Sequence, residues 1–122
     1  NRAIFSLLFP RNVQIGLPEF ETQSAIDFYR VNKEAMIECS FEQALDNTAE
    51  HQALVEQVLN DLPKLIKPSD RGGQLSWDDV MIFPMLRNLT VIKDLQMPTQ
   101  VVDYINEVAK LTNVELYTDR AI

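Results

Sequence analysis

Cys39 and His51 are the only cysteine and the only histidine in the 122-residue chain, and any nucleophilic, acid–base or metal chemistry carried by a thiol or imidazole must start from them. A thiol becomes a good nucleophile when a neighbouring cation or helix N-terminus lowers its pKa. Cys39 instead follows Glu38, whose charge opposes the thiolate, and no Lys, Arg or His adjoins it in sequence. It reads as an inert, buried thiol. One cysteine also forms no intrachain disulfide and supports no dithiol step, which points to a reducing, cytoplasmic compartment. His51 fares no better. A di-metal helical bundle uses Glu-x-x-His pairs on facing helices, but the residue three before His51 is Thr48, and one His with one Cys falls short of a zinc ligand set. Four residues before Val55, on the margin of an apolar stripe, His51 reads as a partly exposed structural residue.

Longer signatures give the same answer. The chain has no Gly-x-Gly-x-x-Gly, no Gly-x-x-x-x-Gly-Lys and no Gly-x-Ser-x-Gly, so phosphate-cradling loops and a nucleophile elbow have no support. The expectation is a chain without its own catalytic, cofactor-binding or metal-binding residues. Eleven Lys and Arg against eighteen Asp and Glu leave a formal charge of -7, which works against nucleic-acid and anionic-membrane partners. The longest apolar runs, Ile4 to Phe9 and Val80 to Leu86, fall far short of the ~20 residues of a membrane span. The start, Asn1 to Phe9, lacks Met and a signal-peptide cleavage site and reads as the beginning of an excised piece.

Several residues do carry structural information. Ser76-Trp77-Asp78-Asp79 fits a helix capping box, with the Ser76 hydroxyl accepting from the Asp79 N–H and the Asp79 carboxylate reaching back to the Ser76 N–H. Leu75 before it and Val80 after it fit a hydrophobic staple. The helix they open is apolar on every side through about Ile92, so it is expected to be the buried centre of the domain, kinked at Pro84. Arg87 lies on that helix, where a guanidinium must find an acid of its own domain or face a partner. Phe5, Leu8 and Phe9 raise the same question at the chain start, as domain core or docking surface.

These residues need helices to hold them. Residues 2 to 9 read as a buried helix stopped by Pro10, and Thr22 to Glu38 as an amphipathic helix with an Arg30–Glu34 pair. Ser40 to Leu62 reads as one further helix with its stripe at Leu54, Val55, Val58, Leu59 and Leu62. A loop follows from Lys64 to Gln74, and Pro98 opens a last helix to about Leu111 on Val101, Ile105 and Val108. Three glycines are too few for a hairpin-rich fold. An all-α bundle of five to seven helices in a single domain, residues 1–122, is the expectation.

Ile82-Phe83-Pro84-Met85-Leu86-Arg87-Asn88-Leu89-Thr90, preceded by Leu75-Ser76-Trp77-Asp78-Asp79, resembles the C-terminal domain of the glutaredoxin 2 family. Leu7-Leu8-Phe9-Pro10-Arg11, Pro98, Val102-Asp103-Tyr104, Ala109-Lys110 and Ala121-Ile122 extend the resemblance over nearly the whole chain. It implies a helical bundle of the glutathione transferase C-terminal type, preceded in the full-length protein by a thioredoxin-like domain with a Cys-Pro-Tyr-Cys site and a glutathione pocket. That domain is absent from this sequence. Its implied chemistry is thiol–disulfide exchange on glutathione mixed disulfides and protein disulfides; Cys39 does not match the motif, so no catalytic residue carries over and the isolated chain is expected to be inactive. The first helix and the Ser76-capped helix would flank the absent domain, with Phe5, Leu8, Phe9, Phe83 and Arg87 as candidate interface residues. Two other readings stay open: a glutathione-transferase-like protein-interaction module without a redox role, and a transferase that conjugates electrophiles.

Overall fold

The computed structural model describes residues 2–122, and all regular structure among them is helical. The six α-helices are α1 (Arg2–Asn12), α2 (Gln23–Ile37), α3 (Phe41–Asp46), α4 (Thr48–Asn60), α5 (Trp77–Leu89) and α6 (Thr99–Thr112). Short 3-10 turns lie at Pro18–Phe20, Pro68–Arg71 and Thr118–Arg120.

Local chemistry sets most boundaries. Thr22 Oγ1 accepts from the Ala25 N–H at 3.2 Å to start α2. Ser40 and Gln43 close a full capping box at the head of α3, with bonds of 3.1 and 3.0 Å. The expected single helix over 40–62 is divided at Asn47, whose N–H bonds the Gln43 carbonyl at 3.2 Å at the end of α3. Thr48 Oγ1 also donates to the Leu45 carbonyl at 2.5 Å, drawing off an acceptor that a continuous helix would use.

Pro10 does not end the first helix, contrary to its reading as a stop. It lies inside α1 and is fully buried. Pro10 has no N–H for the Ser6 carbonyl four residues before it, and the helix continues past that one missing bond. Arg11, itself 5% exposed, donates from Nη1 to the Leu7 carbonyl at 3.0 Å. Its Nη2 reaches Thr48 Oγ1 at 3.1 Å and its Nε the Ile122 carbonyl at 3.0 Å, so one side chain joins α1, α4 and the C-terminal segment. That segment returns beside the end of α5, where the Ile122 N–H bonds the Val91 carbonyl and the Lys93 N–H bonds the Ile122 carbonyl, each at 3.0 Å.

α1 packs against α2, α3, α4 and α5, and α5 packs against α6. The main core combines Leu7 and Leu8 of α1, Val55 and Leu59 of α4, Phe83, Leu86 and Leu89 of α5, and Val101, Tyr104, Ile105 and Val108 of α6. A smaller core of Phe9, Ile37, Phe41 and Ala44 lies under α2 and α3, with Tyr29 and Cys39 packed on it. The central helix is therefore α1. The expectation that α5 occupies the centre is overturned, because one of its apolar faces is left open to solvent.

Candidate docking face

The head of α5 is held by one carboxylate. Asp79 is buried; its Oδ2 accepts from the Ser76 N–H at 2.9 Å and from Arg71 Nη2 at 2.5 Å, while Oδ1 accepts from the Tyr104 hydroxyl at 2.6 Å. Burial alone pushes this carboxyl up, but the Tyr104 and Ser76 hydrogen bonds and the Arg71 charge outweigh it, and Asp79 titrates below the ordinary carboxylate range. Tyr104 moves the other way, its phenol raised by burial and then by donation to Asp79. Ser76 and Asp79 stand in the capping-box arrangement at N-cap and N3, as expected. Its geometry closes fully on the carboxylate side only, since Ser76 Oγ is buried without a hydrogen bond of normal geometry. The cluster ties the 66–76 loop and α6 to α5, and so fixes how α5 presents its outer surface.

That surface is apolar. Trp77 is 86% exposed, Met81 74% and Met85 59%, at the i, i+4, i+8 spacing that places side chains on one helical face. Leu75 and Val80, expected from the sequence to form a hydrophobic staple, are also exposed. Between α5, the start of α1 and the end of α4 runs a groove of about 360 Å³ lined by Ile4, Phe5, Val58, Met81, Ile82 and Met85 among others. Among the described residues, Asn88 provides the one polar side chain in that lining. Exposed apolar surface of this kind makes the groove a candidate docking face.

Of the five candidate interface residues, Phe5 alone is exposed, and it lines the groove. Leu8, Phe9 and Phe83 are each at most 9% exposed within this chain. They have little surface left to give an interface and belong first to the domain's own cores. Phe9 stacks on Phe5 at 5.0 Å between ring centroids and so backs the groove from behind. Arg87 neither pairs with an acid nor projects freely: its Nε donates to the Glu115 carbonyl at 2.7 Å and its guanidinium lies 4.5 Å from the Tyr117 ring centroid. It anchors the C-terminal segment. Cys39 is half-buried rather than enclosed, and His51 is half-buried with Nδ1 unpartnered.

Trp77, Met81 and Met85 were not singled out as surface residues by sequence reasoning, although the signal was present. Asp79, Phe83 and Leu86 form one stripe of α5 and Trp77, Met81 and Met85 another. A helix apolar on two faces needs neighbours on both, and a bundle of this size covers one.

Comparison with known proteins agrees with this architecture. A model of the family described as "Glutaredoxin 2, C terminal domain" matches residues 1–121. Glutaredoxin 2 of Escherichia coli strain K12 is 35% identical over 120 residues, covering 95% of this chain and 54% of the relative; that of Escherichia coli O157:H7 shows the same identity and coverage. The crystal structure of glutaredoxin 2 from Salmonella typhimurium in complex with glutathione superposes with a TM-score of 0.86 at 34% identity, covering 98% of this chain and 55% of that one. The chain thus spans about half the length of these relatives. Its helical bundle is of the glutathione transferase C-terminal type, and the chain belongs to the glutaredoxin 2 C-terminal domain family.

Proposed function

We propose that residues 1–122 form one helical accessory domain of a glutathione-dependent thiol–disulfide oxidoreductase, which braces an N-terminal thioredoxin-like domain and shapes one wall of its substrate cleft. The observation that carries this reading is the open apolar face of α5 with its groove against α1 and α4. The groove does not suit glutathione itself, whose two carboxylates and ammonium would meet apolar side chains and one amide, Asn88. Glutathione and the reacting thiols therefore belong to the upstream domain. There a low-pKa thiolate attacks a mixed or protein disulfide and glutathione resolves the product. A lone, half-buried Cys39 supports the same division of labour and a reducing, cytoplasmic setting.

The test uses the full-length protein. Met81→Glu with Met85→Glu places two charges in the docking face without touching Asp79 or the core. The double variant is expected to lose most glutathione-dependent disulfide reduction and to become cleavable by protease between its domains, with circular dichroism unchanged. Wild-type activity and protease resistance in that variant would overturn the reading. An upstream region without Cys-Pro-Tyr-Cys would move the assignment to an interaction module without a redox role.

A further inference from the structure

No further inference is drawn: the strongest candidate outside the docking face, the exposed surface patch of α2 formed by Phe28, Val31 and Met36, carries nothing because nothing in the structure shows what covers it.

Discussion

Asp79 holds three donors on two oxygens, and its contribution to folding follows from what each donor loses without it. Asp79→Asn keeps the shape but removes the charge and turns one acceptor into a donor facing Tyr104 or Arg71. Hydrogen bonds to charged groups contribute about 1.5–3 kcal/mol each, and they are coupled here, so a loss of about 3 kcal/mol is expected in urea unfolding. Ser76→Ala should behave differently. An N-cap serine ordinarily contributes about 1 kcal/mol, but Ser76 Oγ makes no well-formed bond to lose, and a cost below about 0.5 kcal/mol is expected. A full-sized cost would show that the hydroxyl bonds the Asp79 N–H in solution. The same cluster sets the pH response. Asp79, depressed when folded, adds stability that is present above the unfolded carboxylate pKa and is lost as pH falls through the lower folded one. Tyr104, raised when folded, adds stability that is present below its ordinary pKa of 10.0 and is lost as pH rises beyond it. Unfolding free energy measured against pH should fall on both flanks, and Tyr104→Phe should flatten the alkaline one.

At the scale of elements, the sequence marks helices through their periodicity and caps, and it marks them less well where side chains substitute for the backbone. α2 and α6 lie close to their expected spans because Thr22 caps one and Pro98 precedes the other. The break between α3 and α4 carries no Pro or Gly; it depends on Thr48 taking the Leu45 carbonyl and on Arg11 reaching Thr48, a contact 37 residues away in sequence. Pro10 misleads for a different reason: a proline inside a helix removes only the one bond to the Ser6 carbonyl, and the packing that buries Pro10 is visible only once the helix is built. The two phenylalanines of α1 separate core from surface. Phe9→Ser should cost about 3–5 kcal/mol, as large-to-small changes at buried aromatics do. Phe5→Ser should cost about 1 kcal/mol, from partial burial and the lost ring stack. Thermal unfolding of the two variants distinguishes them; equal losses would mean that Phe5 is as deeply packed as Phe9.

For the whole molecule, a formal charge of -7 and an open apolar face pull in opposite directions. Like charge keeps copies of the chain apart at low ionic strength, while salt screens that repulsion and leaves the hydrophobic attraction in place. The isolated chain should therefore bind a hydrophobic dye through the α5 face, and it should self-associate more as salt is raised from about 0.01 M, where the Debye length is about 30 Å, to about 0.15 M, where it is about 8 Å. Met81→Glu with Met85→Glu should abolish both effects and leave the unfolding free energy within about 0.5 kcal/mol of wild type, as expected for exposed positions. Sedimentation and dye fluorescence on the same samples provide the check. If the double variant still binds dye as the parent does, the exposed apolar surface that matters lies elsewhere, and the α2 patch around Phe28 becomes the place to introduce charge next. If dye binding and association vanish together, the α5 face is what holds copies of the isolated chain together, and Met81 and Met85 are the positions at which the proposed docking of an upstream domain is tested next.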